Sequence, residues 1–333
     1  MWTGISFALG AGLMWGLVFV APLLLADYPA ALLVVGRYLA FGLIALPLAL
    51  IDYRPLRQLR RGDWLEACKL SAIGNFLYYL CLAAAIQRAG GPLPTVIIGT
   101  LPVVIAISSN WRAHRASSAT RTSEGRLRWR SLAPSLLLIA VGIACVNQVE
   151  LAAMGGSSPA ELRRYAEGAL LALAAVACWT WYPIRNADWL RANMGGNSGD
   201  RSPRVWATAQ GLVTLPMALL GLALLSGLQQ LGLPPLAATF ELPLGPRPLA
   251  FVGLMLAVGL FASWLGTLCW NEASQRLATH LVGQLIVFET LAALGYAFAL
   301  SGRQPQALTL LGIALLVAGV LWALRVKPEA TAS

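Results

Sequence analysis

Two charged side chains lie in the middle of long apolar runs, where charge is expensive. Arg37 lies in the run 31–51, and Glu289 lies in the run 277–300. Charged residues inside a membrane usually mark a substrate or ion pathway, a proton relay or a charge pair. Two roles therefore fit Glu289: it carries a coupling proton, or it forms a structural ion pair with Arg37.

Polar and aromatic side chains occupy similar depths in several other apolar runs. They are predicted to line a substrate site and comprise Trp15, Asn75, Tyr78, Tyr79, Trp179, Ser263, Trp264 and Thr267. Asn75, Tyr78 and Tyr79 have i, i+3 and i+4 spacing, which places them on one helical face. They lie too deep for an interfacial aromatic belt. Such a lining suits a small aromatic or apolar molecule with a polar end.

The run that contains Glu289 also carries His280 and Gln284, which complete the predicted binding set. At about 100° per residue, His280 and Gln284 differ by roughly 40° around the helix, whereas Glu289 lies roughly 180° from His280. These three side chains therefore cannot all face one cavity. A gate and a position at the membrane interface fit His280 equally.

The residue types exclude several kinds of chemistry. The five cysteines have no paired spacing, and the two histidines are too few for a multi-histidine metal centre. A glycine-rich phosphate loop that ends in Gly-Lys-Ser or Gly-Lys-Thr is absent from the sequence. Acidic residues are scattered, unlike the clusters of enzymes that act on lipid-linked substrates. We expect no metal, no cofactor and no enzymatic activity.

Composition indicates the solvent in which these residues act. Of the 333 residues, 58% are apolar and only 11% are charged, whereas soluble domains carry about a quarter charged residues. Mean hydropathy is +0.69. This composition excludes soluble enzymes and nucleic-acid binders, and it predicts a lipid bilayer as the surroundings.

The apolar runs predict an all-α, polytopic membrane protein with ten transmembrane helices, numbered here as spans 1 to 10. A span needs about 20 residues. The predicted spans are 3–25, 31–51, 64–86, 92–110, 131–151, 165–184, 205–228, 248–270, 277–300 and 305–325.

The net charge of +10 comes mostly from arginines in the connections between spans. They concentrate in the connections on the side of the N-terminus, including the segment 111–130. The positive-inside rule then places both termini in the cytoplasm and the protein in the inner (plasma) membrane. The segment 111–130 is interpreted as a solvated connector, not an RNA-binding arm, so nucleic acid is not an expected partner.

The two halves of the chain resemble each other. A shift of 188 residues aligns 77–88 with 265–276 without a gap, and Gly4 and Trp15 have the same spacing as Gly168 and Trp179. The predicted units are a five-helix repeat at 1–151, an outer connector at 152–164, a second repeat at 165–325 and a cytoplasmic tail at 326–333. Because five is odd, the second repeat has inverted topology, which is typical of alternating-access transporters.

The opening residues 4–16, the segment Gly36-Arg37-Tyr38-Leu39-Ala40 and the two Gln-Arg turns resemble the EamA-like group of the drug/metabolite transporter (DMT) superfamily. Phe288-Glu289-Thr290 is most similar to its YddG-type branch of aromatic and neutral amino-acid exporters. The resemblance covers about 320 residues. It implies a ten-helix exporter with a central cavity walled by spans 1, 3, 4, 6, 8 and 9.

Two further features of the sequence concern conformational change during transport. Pro102 lies near the middle of span 4 and is the predicted hinge, because proline interrupts a helix. Gly4, Ala8, Gly12 and Gly16 form a small-residue stripe on span 1. Static helix packing and a seam that slides during rocking both fit this stripe.

The predicted function is a secondary transporter that exports small metabolites, in particular neutral or aromatic amino acids, by alternating access. Its expected partners are the small-molecule substrate, a coupling proton at Glu289 and the bilayer. The alternatives are an exporter of drugs or other amphipathic metabolites, a polytopic lipid-modifying enzyme and a passive channel.

Overall fold

A computed structural model describes residues 1–115, 129–153, 158–192, 202–236, 240–302, 304–323 and 325–326. Every regular element in these ranges is helical, so the predicted all-α class is confirmed there. The predicted connector 111–130 and tail 326–333 lie mostly outside the described residues. The same holds for part of the connector 152–164.

The long helices follow the apolar runs. They are α1 (Trp2–Leu24), α2 (Ala30–Ile51), α3 (Arg61–Ala89), α4 (Leu93–Arg112), α5 (Trp129–Ala153), α6 (Pro159–Ala192), α7 (Pro203–Gln230), α8 (Pro248–Arg276), α9 (Leu281–Leu300) and α10 (Ala307–Ala323). A short helix, Tyr53–Gln58, connects α2 and α3.

Eight of these helices, all except α5 and α10, are long and apolar enough to cross a membrane. The apolar parts of α5 and α10, Trp129–Cys145 and Ala307–Gly319, are shorter. The chain is therefore a polytopic helical membrane protein. Ten crossings and inverted halves remain predictions.

Local sequence signals explain where several helices begin and end. At the start of α7, the Ser202 side chain accepts a hydrogen bond from the backbone N–H of Val205, and Pro203 occupies the first turn. The helix segment of α9 ends at Gly302, whose φ of 61° is the left-handed conformation that glycine adopts readily. These boundaries depend on short-range chemistry, so the sequence predicts them to within a few residues.

Hydropathy underestimates the length of α3, α6 and α8. The predicted span 165–184 is part of a 34-residue helix, Pro159–Ala192. The predicted spans 64–86 and 248–270 likewise extend to 61–89 and 248–276. The added ends carry charged residues, such as Arg163 and Arg164 in α6 and Glu272 and Arg276 in α8, which lower the hydropathy without ending the helix.

Several of the helices depart from regular α geometry near mid-length. α3 contains a π-helical stretch at Ser71–Leu77, and α8 contains one at Val258–Leu265. α4 is interrupted at Gly99–Thr100, and α9 is interrupted at Ile286. The two π-helical stretches end at Leu77 and Leu265, which the 188-residue shift relates to each other.

Helices of the first half pack mainly against helices of the second half. α1 packs on α8 and α9, and α6 packs on α3 and α4. α2 pairs with α7, α4 with α9, and α5 with α10. The core therefore lies between the two halves, and side chains from α1, α2, α3, α6, α8 and α9 converge there.

Glycines allow the closest of these approaches. A Cβ atom at Gly42 of α2 would lie 2.6 Å from Cβ and 2.9 Å from Cα of Leu215 on α7. At Gly142 of α5 it would lie 2.7 Å from the carbonyl oxygen of Gly312 on α10. Small residues let helix backbones approach in this way, and dispersion contacts then stabilise the pair.

We expect the substitution Gly42→Ala to destabilise the protein, because Leu215 contributes backbone to the contact and cannot rotate away. Overpacking of this kind costs about 1–3 kcal/mol. The matched control is Gly10→Ala on α1, where an added Cβ meets no atom within 4 Å. The melting temperature of the purified protein should fall for Gly42→Ala and stay equal or rise for Gly10→Ala. Equal melting temperatures for the two variants would contradict the α2–α7 contact.

Candidate functional site

A small enclosed cavity lies where the two halves meet. Its volume is about 10 Å³, room for about one water molecule. It is lined by Trp15, Val18, Arg37, Tyr38, Asn75, Tyr78, Trp179, Tyr182, Ala262, Thr267 and Glu289. The structure thus has a closed centre that combines aromatic rings with one cation and one acid.

The aromatic part of the lining is a cluster of tryptophan and tyrosine rings. Trp15 of α1 meets Trp179 of α6 edge to face, with ring centroids 4.6 Å apart. Trp270 of α8 lies 5.1 Å from Trp15 and 5.8 Å from Trp179. Tyr78 and Tyr182 extend the cluster at 5.5 and 5.4 Å from Trp179. These spacings are those of favourable aromatic pairs.

Arg37 is held firmly in the centre of the molecule. Only 4% of the residue is exposed. Its Nε donates to Ser263 Oγ at 3.0 Å, and Nη2 donates to the Ala262 carbonyl at 3.3 Å. The guanidinium also lies 4.5 Å from the ring centroid of Tyr79 and 5.1 Å from that of Tyr38, which adds cation–π stabilisation. Its Nη1 has no hydrogen-bond partner.

Glu289 is equally buried, with 1% exposed. Its Oε1 accepts a long hydrogen bond of 3.5 Å from the Tyr78 hydroxyl, and its Oε2 has no partner. Arg37 and Glu289 therefore do not form the structural ion pair that was one of the two roles expected for Glu289. The guanidinium is instead committed to the α8 backbone and Ser263, although both charges border the same cavity.

Local features of the backbone position Arg37 and Glu289. Ser263 belongs to the π-helical stretch of α8, and its hydroxyl donates to the Val258 carbonyl at 3.3 Å while it accepts from Arg37. Such π-helical insertions are frequent at functional sites. On α1, a Cβ at Gly12 would lie 3.0 Å from the backbone nitrogen of Glu289. Gly12 and Gly16 of the small-residue stripe are thus packed against α9, which lets the Glu289 backbone approach, whereas Gly4 meets Arg276 and Leu277 at the end of α8.

Seven of the residues singled out in the sequence line the cavity: Trp15, Arg37, Asn75, Tyr78, Trp179, Thr267 and Glu289. The others take different places. Ser263 and Tyr79 support Arg37, and Trp264 donates to Thr208 Oγ1 at 3.4 Å. Gln284 is buried outside this cavity. The His280 side chain lies outside the described part of the structure, and Pro102 is the second residue after the interruption of α4 at Gly99–Thr100.

Sequence reasoning missed Tyr38, Tyr182 and Trp270. The signal was available for two of them, because Tyr182 follows Trp179 by three residues and Trp270 follows Thr267 by three, which places each on the same helical face. Tyr38 neighbours Arg37 in sequence. Its position in the lining depends on the packing of α2 against α3, which the sequence does not specify.

A buried polar network lies next to the aromatic cluster. The Asn186 carbonyl oxygen accepts from Trp206 Nε1 at 2.8 Å and from Gln210 Nε2 at 3.3 Å. Its amide donates to Asn271 at 2.9 Å, and Tyr182 donates to Gln210 at 2.9 Å. The network connects α6, α7 and α8, so it fixes the second-half wall of the cavity.

Ion pairs close the molecule at both ends. At the end that carries the α1–α2 turn, Asp27 pairs with Arg247, and the Tyr28 hydroxyl donates to the Leu244 carbonyl at 2.7 Å. At the opposite end, Glu66 pairs with Arg185 and Asp52 pairs with Arg204. Each of these pairs connects residues from different halves of the chain.

The stability that the Asp27–Arg247 pair contributes depends on pH. Hydrogen bonds from the Arg247 guanidinium hold the pKa of Asp27 below its ordinary value. The stabilisation is therefore present above the ordinary carboxyl pKa and is lost as the pH falls through the lowered value. Both side chains are 40–48% exposed, so the pair contributes little at neutral pH and can open at little cost.

Residues 2–117 match the model of the EamA-like transporter family. The chain is also 51% identical over 329 residues to the inner membrane protein YtfF of Escherichia coli (strain K12), covering 99% of this chain and 97% of that protein. The chain belongs to the EamA-like transporter family. The expected membership is thereby confirmed, and the protein is a transporter rather than an enzyme.

A solved crystal structure of another protein has the same fold. It superposes with a TM-score of 0.63 over 96% of each chain at 18% sequence identity. At this identity the likeness concerns the arrangement of the helices alone. Within the described residues of this transporter, no group of three or more His, Cys, Asp or Glu side chains could hold a metal ion.

We expect Asn186→Leu to destabilise the transporter, because it leaves the Trp206, Gln210 and Asn271 side chains without a shared partner. Each buried unsatisfied group costs about 1–3 kcal/mol. The matched control is Ser226→Ala on α7, whose hydroxyl bonds only to the Leu222 carbonyl of its own helix. Thermal unfolding should show a large loss for Asn186→Leu and almost none for Ser226→Ala. A near-native melting temperature for Asn186→Leu would contradict the stabilising role of the network.

Proposed function

We propose that this EamA-like transporter is a secondary exporter of small metabolites, in particular neutral or aromatic amino acids, and that it works by alternating access. It resides in the inner membrane with both termini in the cytoplasm, as the arginine-rich connections on that side favour. The observation that carries the proposal is the central cavity, which has an aromatic wall, two charged residues and closures at both ends.

The packing of the helices supports alternating access. If the two halves are inverted repeats, each helix of the first half corresponds to the helix five places later. The α1–α8 contact should then recur as α6–α3, and the α1–α9 contact as α6–α4, and all four contacts exist. The pairs α2–α7, α4–α9 and α5–α10 each join two corresponding helices. The π-helical stretches of α3 and α8 also occupy corresponding positions. Two halves related in this way have two nearly equivalent arrangements around one midplane site.

The lining supports an amphipathic substrate. Trp15 and Trp179 offer flat apolar surface, which favours an aromatic or aliphatic side chain. Arg37, Asn75 and Glu289 offer charge and hydrogen bonds for a polar end. One cation is too few for a diphosphate, because a multiply charged anion needs several to replace its water.

A second candidate is the export of drugs or other amphipathic metabolites. Glu289 together with the tryptophan rings would attract a cationic aromatic compound. Glu289 could in addition carry a coupling proton, in which case transport would respond to a proton gradient. Both candidates use the same cavity and differ in the charge of the transported molecule.

The test is uptake or release of radiolabelled solutes by proteoliposomes that contain the purified transporter. We expect saturable movement of phenylalanine or leucine, with no conductance of the kind that a channel produces. Movement of cationic aromatic drugs without any movement of amino acids would favour the second candidate.

We expect Trp179→Ala to lower the initial transport rate on the order of 10-fold, because buried aromatic residues at the centre of a site carry much of the binding energy. The matched control is Trp264→Ala, which removes a tryptophan of similar depth that does not line the cavity. Rates are normalised to the folded protein recovered. Equal losses for the two variants would show that the aromatic wall is not the binding surface.

A further inference from the structure

Four residues that line the cavity each carry a buried polar atom without a hydrogen-bond partner. Two of these atoms belong to ionisable groups of opposite sign, Nη1 of Arg37, a donor, and Oε2 of Glu289, an acceptor; the other two are the Tyr38 hydroxyl and the Asn75 amide nitrogen. The remaining polar atoms of Arg37 and the other oxygen of Glu289 are engaged with protein groups. The cavity therefore presents one open guanidinium donor and one open carboxyl oxygen.

This arrangement differs from a structural ion pair. A buried charge without a compensating charge is expensive, and a pair kept only for stability would bring the two groups together. Here the guanidinium is fixed away from the carboxylate by Ser263, the Ala262 carbonyl and the ring of Tyr79. A ligand that carries both charges would compensate both residues at once, whereas a ligand with a single charge leaves one of them uncompensated.

We propose that Arg37 binds the carboxylate and Glu289 binds the ammonium of a zwitterionic α-amino acid, while the rings of Trp15 and Trp179, which Trp270 supports from behind, take its side chain. This inference rests on the proposed function, and it names the chemical feature that the site selects. Asn75, whose amide nitrogen is buried without a partner on the same cavity, adds a donor for the carboxylate.

The position of the two charges in the chain gives the binding a mechanical consequence. Arg37 lies on α2 of the first half, and Glu289 lies on α9 of the second. A zwitterion bound to both connects the halves, and a singly charged molecule connects to one of them. Because the closed cavity has room for about one water molecule, the amino acid binds in a more open arrangement.

The experiment compares three molecules with the same side chain on the purified wild-type transporter. The probes are phenylalanine, phenethylamine, which lacks the carboxylate, and 3-phenylpropionate, which lacks the ammonium. Leucine, isopentylamine and 4-methylpentanoate form a second, aliphatic set. Binding is measured by the dose-dependent rise in melting temperature, because a ligand of the folded state stabilises it.

We expect each zwitterion to bind on the order of 10- to 100-fold more tightly than either of its singly charged analogues, as the loss of one charged hydrogen bond implies. Glu289→Gln should reduce phenylalanine affinity to that of 3-phenylpropionate and leave 3-phenylpropionate itself unchanged. Arg37→Gln should do the reverse, so that phenylalanine binds no better than phenethylamine. Thr290→Val, which replaces a buried hydroxyl next to Glu289 that does not line the cavity, should behave as wild type.

The outcomes separate this inference from the proposed function. Transport of phenylalanine together with equal affinity for all three analogues overturns the inference and leaves the function standing. Failure of every compound to bind or to be transported overturns both. If the charge variants do not fold, the wild-type comparison alone decides, because preference for the zwitterion in both sets supports the inference and its absence overturns it.

Discussion

Two opposite charges buried at the junction of the two halves, without a direct bond between them, are the constraint on which the rest of this structure depends. Arg37 requires Ser263 and a carbonyl of α8, so the π-helical stretch of α8 must lie against α2. Glu289 requires the close approach of α1 at Gly12 and the hydroxyl of Tyr78. Three contacts between helices from different halves therefore converge on two side chains.

The surroundings leave this centre room for about one water molecule. The tryptophan cluster excludes water on one side, and the network around Asn186 holds the neighbouring helices without leaving its own polar groups unpaired. The Asp27–Arg247 pair is exposed on both sides, and exposed pairs are weak, whereas Glu66 and Asp52 in the pairs at the opposite end are buried. The molecule thus combines a buried centre held by both halves with one end whose ion pair can open at little cost.

Much of the fold could be predicted from the sequence, because hydropathy and helix caps are short-range signals. The apolar runs gave the helices in order, and the shift that aligns 77–88 with 265–276 indicated two related halves. The lengths of α3, α6 and α8 could not be obtained from hydropathy, since their ends are polar and still helical. The π-helical stretches at 71–77 and 258–265 also escaped, because they depend on how neighbouring helices pack.

The functional site could likewise be predicted only in part from the sequence. Depth and residue type identified Trp15, Arg37, Tyr78 and Glu289, whose burial in an apolar run is unusual in itself. The sequence did not indicate that Arg37 bonds to Ser263 instead of Glu289, because this depends on the rotation of α8 relative to α2. Trp264 and Gln284 were predicted to line the cavity at plausible depth, but the local geometry of α8 and α9 turns them elsewhere.

Accessibility of the cavity from each side of the membrane tests the central claim most directly. A variant without the five native cysteines would carry Asn75→Cys, which places a thiol on the cavity wall. A membrane-impermeant maleimide is then applied to oriented vesicles from one side or the other. A carrier that alternates around this cavity predicts labelling from both sides, each slowed by phenylalanine. Labelling from one side only, or from neither, would contradict it.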